Sequence, residues 1–172
     1  MKKQLFSIFL FFSISVSGQN EFGATAFYSD LKKIFLDAET GFSELKGDIY
    51  KDISSNKGDV FKITSLLPLA DSGKIIIPAS GYPYAIYYFE PDKLRLKVDQ
   101  RGANLRDAVA LAYNKPLFAR TETEIIGNHP YSNSWYFIKP DETNKLNAVF
   151  KMSIYFLDSK YFLTLEIRGK KI

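Results

Sequence analysis

The end of the chain limits the fold more than any other segment. Residues 146–158 (LNAVFKMSIYFLD) and 160–168 (KYFLTLEIR) flank Asp158-Ser159 and are rich in aromatic and β-branched residues. Asp and Ser favour turns, so two such runs around this break predict a β-hairpin. Side chains alternate along a strand. In the last run Tyr161, Leu163, Leu165 and Ile167 therefore share one face, and Thr164, Glu166 and Arg168 the other. In the run before it, Ala148, Phe150, Met152, Ile154 and Phe156 share a face opposite Val149, Tyr155 and Leu157. A sheet is the frame into which the other segments must fit.

Residues 22–40 read as a helix, with Phe27, Leu31, Ile34, Phe35 and Ala38 on one apolar face and Gly41 as its stop. Phe42 and Leu45 are expected to tuck under that helix end. Residues 46–59 read as a polar connection. VFKITSLLP (60–68), KIIIP (74–78) and YAIYYFE (84–90) read as strands, separated by turns at Asp71–Gly73 and Ala79–Pro83. Leu94, Leu96 and Val98 alternate with charged residues, which predicts a half-buried edge strand. Residues 104–115 read as a second helix capped by Asn104 and ended by Pro116. TETEI (121–125) and SWYFI (134–138) complete the strands, around a turn-rich loop. The order is α-βββ(β)-α-βββ, an α+β fold with a mainly antiparallel sheet and two helices. No residues align between the two helix-plus-strand halves, so residues 19–172 read as one domain.

Two strands are apolar on both faces. Ala85, Tyr87 and Phe89 oppose Tyr84, Ile86 and Tyr88, and the 147–157 strand behaves similarly. A sheet with helices on one side and water on the other alternates more cleanly. The second face is therefore expected to meet the 46–59 segment, a second copy or a partner protein, unless Tyr simply tolerates water there.

The N-terminus reads as an export signal. Lys2 and Lys3 precede an apolar run from Leu5 to Val16, and Val16-Ser17-Gly18 suits cleavage before Gln19. The run is short for a membrane span, which needs ~20 residues. Residues 1–18 are read as a signal peptide, and the destination as periplasmic or secreted. Its removal takes two Lys and no acid, lowering the formal charge from +4 to +2. That balance does not argue for nucleic acid.

Zero Cys and one His remove disulfides, Cys-ligated zinc, iron–sulfur clusters, thiol nucleophiles, an N-terminal Cys lipid anchor and multi-histidine metal sites. There is no Walker A loop, G-x-G-x-x-G, G-x-S-x-G elbow or H-E-x-x-H motif. Asp48, Asp52 and Asp59 are too spread for a calcium loop. No cofactor and no metal are implied.

Two segments carry candidate contact residues. The stretch 126–135 joins the only His, His129, and the only Trp, Trp135, with Tyr131 and two Asn, a set suited to stacking on a sugar or peptide. Turn chemistry alone also explains it. The second is Gly81-Tyr82-Pro83-Tyr84, leading into Tyr87 and Tyr88, where tyrosines sit at a hairpin rim; ordinary strand composition also explains it. Glu122 and Glu124 lie on one strand face and read as charges defending an exposed edge. His129 is the only centre on which a Ser-His-Asp hydrolase could be built.

The combination of a signal peptide, the F-x-x-L-K-G of Phe42–Gly47, a strand ending in Leu67-Pro68, an Ala/Leu/Tyr helix and the final Tyr-Phe-Leu-Thr-Leu-Glu-Ile resembles small exported α+β proteins of Gram-negative bacteria whose function is uncharacterised. Such proteins often carry Cys after the Leu-Pro segment and after the second helix; this chain departs there. The resemblance implies no activity and no site residues. A looser likeness, of architecture alone, is to secretion chaperones and inhibitor-type binders. The reading is thus a non-catalytic binding module for a protein partner or for self-association, with a glycan or small-ligand binder second and a His129 hydrolase third. An intact-mass measurement on protein recovered from the periplasm should give a chain that begins at Gln19; a mass that retains residues 1–18 would overturn the export reading.

Overall fold

The computed structural model describes residues 21–50 and 58–170. The elements are α1 (Thr25–Ala38), β1 (Lys46–Ile49), β2 (Gly58–Ile63), β3 (Ala70–Pro78), β4 (Tyr84–Asp92), α2 (Arg95–Tyr113), β5 (Phe118–Ile126), β6 (His129–Phe137), β7 (Phe150–Leu157) and β8 (Lys160–Arg168), with a 3-10 turn at Lys145–Asn147. All eight strands form one antiparallel sheet in the order β1-β2-β3-β4-β8-β7-β6-β5. This is the α+β single-domain fold expected, in the expected order. The predicted signal peptide, and residues 51–57 of the predicted polar connection, lie outside the described residues.

Two hairpins are set by local backbone chemistry. Gly127-Asn128 joins β5 to β6, and Asp158-Ser159 joins β7 to β8, each as a two-residue turn with both φ values positive. Positive φ at both positions matches the right-handed strand twist, and Gly, Asn and Asp reach it at least cost.

Both helices lie on one sheet face. Phe27, Leu31, Ile34 and Ala38 of α1, and Val98, Leu105, Ala108, Val109 and Ala112 of α2, are buried against Ile75, Ala85, Tyr87, Phe89, Phe150, Met152, Leu163, Leu165 and Ile167. A Cβ on Gly102 would stand 3.2 Å from Ile154 Cδ1, so glycine allows α2 its close approach to the sheet. Past α1 the chain reverses through Gly41 and Phe42, with φ 72° and 64°. The buried Asp37 carboxylate holds this reversal, accepting from the N–H groups of Glu44 (3.1 Å) and Leu45 (2.9 Å) and the Thr40 hydroxyl (3.0 Å). A buried carboxylate needs such donors. Phe42 is fully buried and Leu45 partly, as expected from the sequence.

Five local expectations are corrected. Residues 46–59 are not all connection: Lys46–Ile49 forms β1, paired with β2, and Gly58-Asp59 already belong to β2. Leu94–Val98 is not an edge strand. From Arg95 onward it is the start of α2; Leu94 and Leu96 are exposed and only Val98 is buried, so the alternation carried no burial pattern. Arg95–Asp99 pairs at 2.7 Å across one helical turn and supports the helical state. Asn104 is consequently inside the helix, where it accepts from Gln100 at 3.2 Å, and caps nothing. Asp71–Gly73 is not a turn but part of β3, where Gly73 admits Ile63 and Leu66 close to the backbone. Finally, residues 126–135 are not a loop: only Gly127-Asn128 turns, and His129 onward is strand.

One core group is out of place chemically. The Tyr87 ring is fully buried, and its hydroxyl has no hydrogen-bond partner among the described residues. Burial, and then the Asp37 charge, raise its pKa above the ordinary tyrosine value. The native state thus holds this proton more tightly than the unfolded chain. The stability it represents is complete below pH ~10 and is lost as pH rises beyond that. An unpaired buried hydroxyl costs about 1–3 kcal/mol. Tyr87→Phe should therefore be neutral or stabilising by about 1 kcal/mol at pH 7 and should flatten the alkaline decline. Urea unfolding at pH 7 and between pH 9 and 11 checks both; a destabilisation at pH 7 above ~1 kcal/mol would show that the hydroxyl is satisfied.

The helix-free sheet face as candidate functional site

Strand register sets out the face that carries no helix. One row of paired residues runs Lys62–Lys74–Ile86–Glu166–Lys151–Trp135–Arg120. The next runs Ser72–Tyr88–Thr164–Ser153–Asn133–Glu122. A third contains Phe162, Tyr155, Tyr131 and Glu124. These are the partners, one residue along each strand, of the side chains buried under the helices.

Charges concentrate at the centre. Glu166 is 8% exposed; Lys151 Nζ lies 3.6 Å away across the β7–β8 pair and Arg168 Nη2 lies 2.8 Å away along β8. The Arg168 contact is coulombic, since Glu166 Oε1 and Arg168 Nε both lack a hydrogen-bond partner among the described residues. Tyr84 sits opposite Arg168. Partial burial, then the Glu166 charge, raise its pKa above the usual tyrosine value. Ser153 donates to Asn133 Oδ1 at 2.7 Å.

Rings surround these charges. Tyr155 stacks on Phe162 with centroids 5.4 Å apart and meets Tyr131 at 6.0 Å. Burial, and then Tyr88 and Tyr131, raise the Tyr155 pKa. Lys74 lies over the Tyr88 ring at 5.5 Å. At one corner Trp135 is buried with Phe137 and Ala148, and the Lys145 and Lys151 ammonium groups lie 4.3 and 6.0 Å from its ring. Such contacts let a cation cover an aromatic surface while staying wet.

The sequence candidates distribute as follows. Tyr84, Tyr131 and Trp135 share the helix-free face. They do not converge: Tyr131 and Trp135 are four residues apart on β6, or ~13 Å, and Tyr84 is three strands from Trp135, or ~14 Å. Tyr82 belongs instead to a separate cleft of about 270 Å³ at the C-terminal ends of both helices, beside Phe35, Tyr113, Arg168 and Lys170, where Lys170 pairs with Glu39. His129 stacks on Phe156 with centroids 3.5 Å apart, and its Nδ1 lies 3.3 Å from the Tyr161 hydroxyl. Glu122 and Glu124 lie on the exposed edge strand β5, and Glu122 pairs with Lys145 at 2.6 Å. Tyr88, into which the Tyr82–Tyr84 candidate segment leads, also reaches this face. The other central members, Glu166, Lys151, Tyr155 and Phe162, were not singled out from the sequence. Their signal was present in the two-sided character of β4 and β7, but pairing across β8 was needed to join them.

Among the described residues, no group of three or more His, Asp and Glu side chains is placed to hold a metal ion. No helix among them is long and apolar enough to cross a membrane. No protein-family model, curated protein or solved structure matches this chain. Its function must be read from its own surfaces.

Because Trp135 is the single tryptophan, its emission reports on this corner alone. Lys145→Ala should red-shift that emission and raise acrylamide quenching about twofold, through loss of the ring's cover. Unchanged quenching would mean that Lys145 does not shield the indole.

Proposed function

We propose that this protein is an exported, non-catalytic binding module whose helix-free sheet face engages a protein partner. The observation that carries the reading is the make-up of that face. Tyr84, Tyr88, Tyr131, Tyr155 and Phe162 are half-buried around the Glu166, Arg168 and Lys151 charges, on a side of the sheet where no helix packs. Tyrosine presents a large rigid area with a polar tip, and aromatic residues with Arg are enriched where proteins meet. A restrained set of charges around such rings favours a partner of matching polarity over non-specific adhesion.

Export rests on the basic and apolar N-terminal stretch, and periplasmic or secreted residence follows from it. An inhibitor or immunity-type role against a toxin of the envelope belongs to the same class. Glycan binding has narrower support, since among the sequence candidates only Tyr131 lies in the Phe162–Tyr155 row. A hydrolase centred on His129 has less, because the ring's contacts are Phe156 and Tyr161.

Affinity capture from native periplasm, read by mass spectrometry, tests this. The wild type should retain a defined protein that Tyr88→Ala and Tyr155→Ala lose by roughly tenfold or more, as hot-spot truncations do. Retention by both variants at wild-type level would move the site off this face. Retention of glycan in place of protein would favour the second reading.

A further inference from the structure

The two edges of the sheet are treated differently. β1 has four residues and its register with β2 is broken by an irregularity. Short, irregular edges resist pairing with other chains. β5 has nine residues, all exposed, in unbroken register with β6 and without proline. It exposes Phe118 at 42%, Ile125 at 76% and Ile126 at 60%. Charge alone does not explain an edge that is long, regular and apolar at both ends.

We infer that β5 pairs antiparallel with β5 of a second copy, on a two-fold axis through Glu122. This deepens the binding-module reading and rests on it, by naming one partner. The sequence FARTETEII is self-complementary in that register. Phe118 faces Ile126, Ala119 faces Ile125, Arg120 faces Glu124 and Thr121 faces Thr123, each pair occurring twice. Cross-strand pairs of these kinds are the stabilising ones. Arg120 and Glu124 have no ion pair within the described residues of one copy, which leaves them available. Glu122, which would face itself, is already neutralised by Lys145 at 2.6 Å. A shift of two residues one way places Phe118 against Glu124; a shift the other way places Glu122 against Glu124.

Backbone phase agrees. The two-residue turn makes Ile126–His129 the closing hydrogen-bonded pair, so even-numbered β5 residues bond to β6 and Ala119, Thr121, Thr123 and Ile125 point their N–H and C=O groups outward. The proposed register pairs these outward residues with one another. Because the axis is perpendicular to the sheet, both copies keep their helices on one side, and the two helix-free faces become continuous.

Sedimentation-equilibrium measurements from about 1 to 500 µM test the pairing. The purified protein should be a dimer in the upper part of that range. Arg120→Glu and Glu124→Arg should each weaken dimerisation about tenfold or more, because both symmetric pairs turn repulsive. The Arg120→Glu/Glu124→Arg double variant should recover it. Thr123→Pro removes an outward N–H without touching the β5–β6 bonds and should leave a monomer whose Trp135 emission is native. A wild type that stays monomeric to 500 µM, single reversals without effect, or a folded Thr123→Pro dimer would each overturn the inference. Capture of a heterologous partner lost on Tyr88→Ala and Tyr155→Ala would stand apart from these outcomes, so failure here does not decide the fate of the helix-free face.

Discussion

The pairing of β4 with β8 is the constraint on which the rest of the structure depends. It joins Ala85, Tyr87 and Phe89 to Ile167, Leu165 and Leu163, and so makes one continuous apolar floor from two separate meanders. On either side the strands follow in chain order, β1 to β4 inward from one edge and β5 to β8 inward from the other. Each half is a helix followed by four strands, and the topology reads the same from both edges. Neither half alone gives α1 and α2 a common surface to bury. The contact also joins segments far apart in sequence, with Tyr84 opposite Arg168. Its closure entropy must be met before burial under the helices offsets it.

The same pairing makes the helix-free face. Register that aligns Leu165 with Tyr87 beneath the helices necessarily aligns Glu166 with Ile86, and Lys151 with Glu166, on the other side. Thr164, Ser153 and Glu166 are nearly buried there though no helix lies on them: Tyr88 is paired across from Thr164, Asn133 accepts from Ser153, and Lys151 and Arg168 lie against Glu166. The chain answers the problem of a second apolar face with rings under ammonium groups and with paired charges. That combination keeps a broad surface wet without giving up its aromatic area.

Much of this was legible beforehand, for identifiable reasons. The β7–β8 hairpin announced itself because strand period and turn chemistry agree at Asp158-Ser159. α1 was legible because Phe27, Leu31, Ile34 and Ala38 all bury as their spacing demands. Failures occurred where one signal stood in for another. Leu94 and Leu96 alternate like a strand yet bury nothing, and the helix is decided by Val98, Gly102 and Leu105 further on. Gly73 serves close packing, not a turn. Pro130 read as loop chemistry, but it faces Ile125 at a β6 position where no ladder donor is required. The candidate site was legible only in part. Tyr84, Tyr131 and Trp135 reach the face, but the charges at its centre come from β7 and β8, and their meeting depends on pairing no local pattern encodes.

The distribution of the lysines and acids follows from this architecture. The formal charge is small, so net charge contributes little to gathering a partner from a distance. Discrimination must then come from local matching at short range. Two places supply it by different means. At the centre of the helix-free face, charge is already paired within the chain, as in Glu166 with Arg168 and Lys151, so a partner there meets rings and fixed dipoles more than free ions. On β5, Arg120 and Glu124 are unpaired in one copy among the described residues and spaced so that an antiparallel copy satisfies both. A surface with its charges paired internally selects by shape and fixed polarity. An edge with its charges left open accepts few approaches, and its sequence reads most favourably against itself.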